Sequence, residues 1–163
     1  MLKISICPAV VEDAAAIAAL NESCLGKSFP VSSVQAQLKT ILRRSDEKLL
    51  VAVYRGQPIG YIHARDDLST YRAPRKLILA VAVDKEYRRH GVGTALMDAI
   101  TAWARETRCE AIGVTVGSSK AAQSFFAAYG CEERLNRKPF YKSIVEPKSA
   151  ILERLENSYG KKE

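Results

Sequence analysis

The chain has 163 residues, of which 47% are hydrophobic and 26% charged, so it is long enough for one domain with a well-buried core. Its longest apolar runs are of strand length and no signal-peptide pattern opens it, which predicts a cytoplasmic protein without a membrane partner. The four cysteines are scattered and only two histidines are present, so neither a metal site nor a disulfide framework is expected.

The net charge of +7 suits a protein that binds a polyanion, which could be nucleic acid, an acidic membrane surface or a small molecule. The excess is concentrated between Arg72 and His90, where six lysines or arginines stand against two acids. No helix-turn-helix, zinc-finger or RNA-binding aromatic motif accompanies it, so nucleic acid is not expected as a partner. A small molecule that carries several phosphates explains the position of the charge better.

The hydrophobic pattern predicts an alternating α/β order. The first half of the chain is predicted to form a strand, two helices and three strands, at residues 3–7, 12–23, 32–44, 49–54, 58–64 and 77–83. Arg55-Gly56-Gln57 between the second and third strands is a hairpin signal, because glycine accepts the backbone angles of a tight turn.

The second half begins with a helix whose apolar stripe is Val92, Leu96, Ala99, Ile100 and Trp103. The remaining elements are predicted as a strand, a helix and two short strands, at residues 111–116, 118–129, 131–135 and 140–145. We therefore expect a domain at residues 1–145, followed by an amphipathic helix or tail at residues 146–163. The apolar stripe of that helix would pack on the domain or on a second subunit, so a homodimer is one alternative.

An anion site is predicted where the strand ending at Val83 runs through a basic turn into a helix. Arg88 and Arg89 supply full charges, Gly91 and Gly93 let a ligand approach the backbone, and the first N–H groups of the helix point outward. No lysine and hydroxyl pair follows the glycines, which excludes a P-loop. The spacing from the strand also fits a dinucleotide fingerprint poorly.

The pattern Arg88-x-x-Gly91-x-Gly93 resembles the pyrophosphate-binding motif of the GCN5-related N-acetyltransferase (GNAT) family. A second stretch, residues 119–131, resembles the family's N-x-x-A-x-x-F-Y-x-x-x-G-F helix. It matches at Ala122, Phe125 and Gly130 and departs at Ser119, Phe126 and Cys131.

The resemblance covers about residues 2–145 and includes the order of elements, β-α-α-β-β-β-α-β-α-β-β. It implies the acyl-CoA N-acyltransferase fold, an α/β (α+β) class with a mixed, mostly antiparallel sheet and helices on both faces. It also implies acetyl-CoA as co-substrate, with its pyrophosphate on the glycine turn and its pantetheine arm along the strand that ends at Val83. A strand N–H, that of Ala82 or Val81, would polarise the thioester carbonyl. The implied cofactor-binding residues are Val81, Ala82, Val83, Arg88, Arg89, His90, Gly91, Val92, Gly93, Thr94, Ser119 and Phe126.

The reacting side chains follow less directly, since Leu77 and Phe126 stand where family members often carry a glutamate base and a tyrosine acid. His63 is the first candidate for the base, because an imidazole titrates near neutrality. Asp66 and Asp67 are alternatives. The acid would be Tyr129, Tyr141 or a water molecule.

The resemblance implies an N-acetyltransferase that moves an acetyl group to a primary amine of a small molecule or peptide, by direct attack in a ternary complex. The alternative is a catalytically weak acyl-CoA-binding sensor or regulatory module, which the missing glutamate and tyrosine keep open. The positive net charge argues against polycationic acceptors such as polyamines and aminoglycosides.

Overall fold

The computed structural model describes residues 2–159 and divides the chain into two compact units, Met1–Tyr129 and Gly130–Glu163. The first unit holds five strands and four α-helices among these residues: β1 (Ser5–Pro8), α1 (Ala14–Leu25), α2 (Val31–Ile41), β2 (Glu47–Tyr54), β3 (Gln57–Ser69), β4 (Arg72–Val83), α3 (Val92–Glu106), β5 (Ala111–Val114) and α4 (Lys120–Ala128). Short 3₁₀ turns at Val11–Asp13 and Lys85–Tyr87 precede α1 and α3.

The strands form one sheet in the order β1-β2-β3-β4-β5. Each of the first three pairings is antiparallel. Short turns join β2 to β3 and β3 to β4, whereas α1 and α2 lie between β1 and β2. β4 and β5 are parallel, because α3 crosses between them. The predicted fold class, a mixed and mostly antiparallel sheet, is confirmed.

Different helices cover the two faces of the sheet. On the front face, defined as the one under α1 and α2, Leu49, Val51 and Tyr61 are buried in one cluster with Ile17 and Leu38 of the helices. These strand residues alternate along β2 and β3, so the residues between them point to the opposite face.

The back face packs against α3. The predicted stripe is confirmed at Val92, Leu96, Ile100 and Trp103, which the structure buries. Ala99, its fifth member, is only half-buried. The ammonium group of Lys76 on β4 lies 3.5 Å from the centre of the Trp103 ring, which places α3 directly on the sheet. Helices therefore lie on both faces, as predicted.

The β3–β4 hairpin is longer than predicted. The predicted strands end at residue 64 and begin again at residue 77, but the observed strands stay paired as far as Ser69 and Arg72. Asp67 explains this, because its carboxylate accepts hydrogen bonds from Arg75 at 2.6 Å and from Arg72 at 2.5 Å. Burial alone raises the pKa of this carboxyl, but the two arginines outweigh burial and hold its pKa below the ordinary value. Opposite charges across the hairpin thus replace apolar pairs.

Lys76 is a fully buried charge, with 0% of the residue exposed. Its ammonium group pairs with the carboxylate of Asp66 and lies over the Trp103 ring. The Asp66 side chain is 34% exposed, so the lysine of this pair is shielded from water while the aspartate is in contact with it. The basic residues at the start of β4 therefore serve the hairpin, and the excess charge left for a phosphate ligand comes from the turn after β4.

The second unit contains α5 (Lys148–Tyr159), where the sequence predicts an amphipathic helix; residues 160–163 of the predicted tail lie outside the described residues. The strands predicted at residues 131–135 and 140–145 are wrong, because the structure gives no strand between Gly130 and Tyr159. The apolar side chains of those segments are 76–95% exposed: Leu135, Phe140, Tyr141, Ile144 and Val145. A strand needs a hydrogen-bonded neighbour, and periodicity alone does not supply one.

In the part of the chain that the structure describes, no helix combines the length and the apolar character that crossing a bilayer requires.

The buried Lys76 pair generates a stability prediction. We expect Asp66→Asn to lower the free energy of unfolding by about 2 kcal/mol, because the neutral amide leaves the buried ammonium group without a counter-charge. The double variant Asp66→Asn/Lys76→Met should recover part of that loss, since no buried charge remains. Urea unfolding of the two variants and the parent checks this, and a double variant less stable than Asp66→Asn would contradict it.

The lowered pKa of Asp67 generates a pH prediction. A carboxyl whose folded-state pKa lies below its unfolded value stabilises the fold above the unfolded pKa and loses that contribution as pH falls through the folded pKa. Asp67→Asn should therefore destabilise the chain at pH 7, and the difference should shrink as the pH falls below the ordinary aspartate pKa of about 3.9. Thermal unfolding of both proteins across this range measures the difference, which should not depend on pH if the ion pairs contribute nothing.

Candidate active site

The pairing of β4 and β5 ends early and leaves part of β4 with an open edge. The two strands are in register from Arg75 to Ile78, and β5 ends at Val114. On the other side of β4 the register with β3 shifts at the same level, where Leu79 is an extra residue opposite no partner. Such a bulge bends the bulged strand and increases its twist. Beyond it, the end of β4 up to Val83 pairs only with β3 among the described residues.

The direction of the backbone groups on this edge follows from one hydrogen bond. Asp84 donates its N–H to the carbonyl of Ile59 at 2.9 Å, so the backbone N–H and C=O groups of Asp84 point to β3. The backbone groups of successive residues in a strand point to opposite neighbours. Those of Ala82 therefore also point to β3, while those of Val81 and Val83 point to the open edge. The carbonyl of Val83 confirms this, since it accepts hydrogen bonds from the Arg88 Nε at 3.0 Å and the Cys24 thiol at 3.3 Å.

The turn after β4 delivers the chain into α3 with uncapped N–H groups. Asp84 caps the 3₁₀ turn by accepting the N–H of Glu86, and Gly91 is the N-cap of α3 with φ 79°. No side chain caps α3, and the first intrahelical bond runs from Ala95 to the carbonyl of Gly91. The N–H groups of residues 92–94 thus have no acceptor inside the helix and point outward with the positive end of the helix dipole.

The two glycines of this turn have different reasons to be glycine. At Gly91 a Cβ would meet no atom within 4 Å, so the position is open to a ligand, and its positive φ excludes most side chains. At Gly93 a Cβ would lie 3.0 Å from the ring of Phe125. The second glycine therefore lets α4 pack closely against the start of α3, a role that the sequence does not reveal.

The side chains of Arg88, Arg89 and His90 are exposed around this helix end. Arg89 has φ 62°, a left-handed conformation that costs a non-glycine residue free energy. Neither arginine forms an ion pair with any described carboxylate, unlike those of the hairpin. Cationic side chains without an ion pair, a helix dipole and open N–H groups together form an anion site, so these residues fit the diphosphate of acetyl-CoA.

The helix of the second motif lies beside this end of α3. Ser119 caps α4 by accepting the N–H of Ala122 at 3.3 Å, and Phe126 is 5% exposed with its ring edge against Phe125. The hydroxyl of Tyr129 at the end of α4 is engaged in two hydrogen bonds. It donates to Asp98 at 2.7 Å and bonds Thr101 at 2.9 Å, both on α3.

Burial raises the pKa of Tyr129 above its ordinary value, and the bond to Asp98 adds to the shift. Tyr141, the other tyrosine named as an acid, lies in the second unit in a segment without regular structure and is 93% exposed.

On the front face a cavity of about 130 Å³ opens beside the strands that carry Tyr61 and His63. Its lining is mostly apolar and contains no carboxylate: Ile17, Asn21, Phe29, Val34, Gln37, Leu38, Ile41, Leu49, Tyr61 and His63. The hydroxyl of Tyr61 donates to the side-chain oxygen of Asn21, and burial raises the pKa of Tyr61 to about 12. His63 pairs across the sheet with Ala80, one strand from the open edge of β4.

The structure also adds residues that the sequence analysis missed. Glu47 lies 2.7 Å from the Nε2 atom of His63 and is held on its other oxygen by Arg44 at 2.8 Å. Cys24 reaches the end of β4 from α1. Glu47 could have been found from alternation, because it lies two residues before Leu49 and so belongs to the same face of β2. The remaining candidates, Asp66 and Asp67, are engaged by the hairpin cations.

No cluster of three or more side chains able to hold a metal ion occurs among the residues with described positions.

Comparison with known proteins identifies the family. The model of the acetyltransferase (GNAT) family matches residues 14–131, which is more than half of the chain. No curated protein sequence gives a significant match.

Several solved structures share the fold. The aminoglycoside N-acetyltransferase AAC(6')-Iy in complex with CoA has a TM-score of 0.75 and 20% identity, over 87% of this chain and 95% of that one. AAC(6')-Ih from Acinetobacter baumannii has a TM-score of 0.73 and 18% identity, over 88% and 99% of the two chains. A transcriptional regulator from Bacillus halodurans C-125 has a TM-score of 0.73 and 20% identity, over 86% and 99%. At these identities the likeness shows the fold.

The open edge of β4, the uncapped start of α3 and the family match agree with one another and confirm the resemblance seen in the sequence. The chain belongs to the acetyltransferase (GNAT) family and is an N-acetyltransferase with acetyl-CoA as its co-substrate.

Proposed function

We propose that the chain moves the acetyl group of acetyl-CoA to a primary amine of a small molecule or a peptide, by direct attack while both are bound. The observation that carries the proposal is the open edge of β4 at Val81 and Val83, which leads through one turn to the uncapped start of α3. An extended chain of amides that ends in a diphosphate is the ligand that such a pair of backbone surfaces fits.

Bound acetyl-CoA supplies a thioester whose carbonyl carbon the amine attacks. The N–H groups of residues 92–94 donate to the diphosphate, and the helix dipole stabilises a negative charge at this position by about 0.3–1 kcal/mol. Arg88, Arg89 and His90 surround the same position with exposed side chains. The N–H of Val81 polarises the carbonyl, and the alternation of β4 favours it over that of Ala82, which faces β3.

His63 is the proposed base. Its ring lines the front-face cavity, where an amine would lie one strand from the thioester, and a base can act there through one water molecule. The thiolate leaves as a weak base, so water can supply its proton. Tyr129 would have to leave Asp98 and Thr101 to act as the acid, which favours water over Tyr129. Tyr141 stays a prediction from the sequence.

The lining of the cavity supports a class of acceptor. It is mostly apolar, small and without a carboxylate, and the carboxylate just outside it, Glu47, is already bonded to His63 and Arg44. A polycation would find no anion to bind there. We therefore propose a compact amine with an apolar body, in contrast to the aminoglycosides named for several structural neighbours.

The alternative is an acyl-CoA-binding sensor with weak turnover. It is favoured by the two positions at which the family's common acid and base are missing, Leu77 and the buried Phe126. We retain a cytoplasmic location, the absence of nucleic-acid and membrane partners, and the homodimer as predictions from the sequence.

The anion site can be tested with two substitutions of nearly identical shape. Asparagine and aspartate both tolerate the left-handed backbone of Gly91, so Gly91→Asn and Gly91→Asp differ mainly in charge. We expect Gly91→Asp to bind acetyl-CoA at least about tenfold more weakly than Gly91→Asn, a difference of about 1.4 kcal/mol. Calorimetry measures the two affinities, and equal values would contradict the proposal that the diphosphate binds at this helix end.

The acceptor class can be tested by following thiol release with a panel of amines. We expect arylalkyl and short alkyl monoamines to be acetylated with kcat/KM at least about tenfold above that of aminoglycosides, because the cavity offers apolar contacts and no anion. Thermal stabilisation by acetyl-CoA without thiol release from any amine would favour the sensor. Preferred turnover of an aminoglycoside would contradict the proposed acceptor class.

A further inference from the structure

We propose that Glu47 is a positioning residue for His63: together with Arg44 it fixes the tautomer and orientation of the imidazole, so that the Nδ1 atom faces the acceptor cavity as a proton acceptor. The proposal rests on the proposed function, in which His63 is the base. Glu47 is a residue that the sequence analysis missed, because it precedes the apolar run from which the second strand was predicted.

The hydrogen bond between the two side chains is the first step. The Nε2 atom of His63 lies 2.7 Å from a carboxylate oxygen of Glu47, and both side chains are nearly buried, at 14% and 10% exposure. An ionised carboxylate can only accept, so Nε2 must carry the hydrogen. In a neutral imidazole the lone pair is then on Nδ1, for which the described residues provide no hydrogen-bond partner.

The second step is that Glu47 is itself fixed. Its other oxygen lies 2.8 Å from the Nε atom of Arg44, three residues earlier. The Arg44 guanidinium also donates to both oxygens of Asp46, at 3.1 and 2.8 Å. Both oxygens of Glu47 are therefore engaged, and its carboxylate cannot turn away from His63 without breaking an ion pair.

The third step concerns the charges around the ring. On the front face Arg65 stands opposite Glu47 in the register, and Tyr61 is the next residue of β3 on the same side as His63. Tyr61 stays neutral because burial raises its pKa to about 12. α1 and α2 contribute uncharged side chains to the cavity, and β4 contributes Ala80 opposite His63. Glu47 is thus the anion in contact with the ring, and it stabilises the imidazolium that forms during the reaction.

The chemical step balances within the proposed reaction. The amine nitrogen forms a bond to the thioester carbonyl carbon, the carbon–sulfur bond breaks, and its electron pair leaves with the sulfur as a thiolate. The proton that the nitrogen loses passes to Nδ1 of His63, directly or through one water, and is later returned to the thiolate or to solvent.

The test is a double-mutant cycle on the full chain with the best amine of the panel. We expect His63→Gln to lower kcat by about 100-fold and Glu47→Gln by about 10-fold, with KM for acetyl-CoA little changed. In the His63→Gln background, Glu47→Gln should cost nothing further, because its effect passes through the imidazole. Glu106→Gln, the same change of charge at an exposed position at the end of α3, should leave kcat unchanged.

A proton NMR readout tests the hydrogen bond without turnover. The parent should show a downfield, exchange-protected imidazole N–H signal, which is assigned by its loss in His63→Asn and its persistence in His90→Asn, since the chain has two histidines. Glu47→Gln should shift that signal upfield or abolish it. If Glu47→Gln fails to fold, Arg44→Gln replaces it in the cycle, with a smaller loss of kcat that should also vanish in the His63→Gln background.

The outcomes separate the inference from the function on which it rests. Additive losses of kcat, or an unchanged N–H signal in Glu47→Gln, would overturn the positioning role. A parent chain that releases no thiol with any amine would contradict the proposed function, and the NMR signal would still decide whether Glu47 holds His63.

Discussion

The architecture of the site depends on one loss of strand pairing, at the point where β4 and β5 part after Ile78. The bulge at Leu79 bends β4 there, and Val81 and Val83 then face an edge without a strand beside it. Backbone N–H and C=O groups inside a domain are costly unless they are hydrogen-bonded, so this edge favours a ligand with amides of its own. The turn that follows β4 places the start of α3 close by, and α3 in turn covers the back face of the sheet.

In this arrangement backbone groups would bind the cofactor, and side chains would bind the acceptor. The proposed cofactor side of the site consists mainly of N–H groups whose positions are set by the strand, the turn and Gly91. It therefore tolerates the departures from the family pattern at Ser119 and Phe126, one of which caps α4 while the other fills the core. The proposed acceptor side is formed by side chains of the front face, where a single substitution changes shape and charge. Family membership consequently fixes the cofactor more firmly than the amine.

The same division explains what the sequence could predict. The glycine turn is a local pattern, so the residues alone place Arg88 to Thr94 at a helix start. The Glu47–His63 pair is a contact between strands whose register depends on the whole sheet, and Glu47 lies outside the apolar run that marks β2. The hairpin extension was missed because its pairs are ionic, centred on Asp66 and Asp67. The two strands predicted after Gly130 failed for the opposite reason, since their apolar residues alternate without a neighbouring strand.

The register also suggests how the chain compensates for Leu77. Leu77 pairs with Arg65, and Arg65 pairs with Glu47, so one row across the front face carries a carboxylate two strands from β4. That separation is about 10 Å, too far for a carboxylate to take a proton from an amine at the β4 edge. An imidazole on the strand between them shortens the gap, and His63 is on that strand. In the proposed mechanism, a carboxylate on β2 and a proton acceptor on β3 leave the β4 edge itself apolar, which would strengthen a hydrogen bond from the Val81 N–H to the thioester carbonyl.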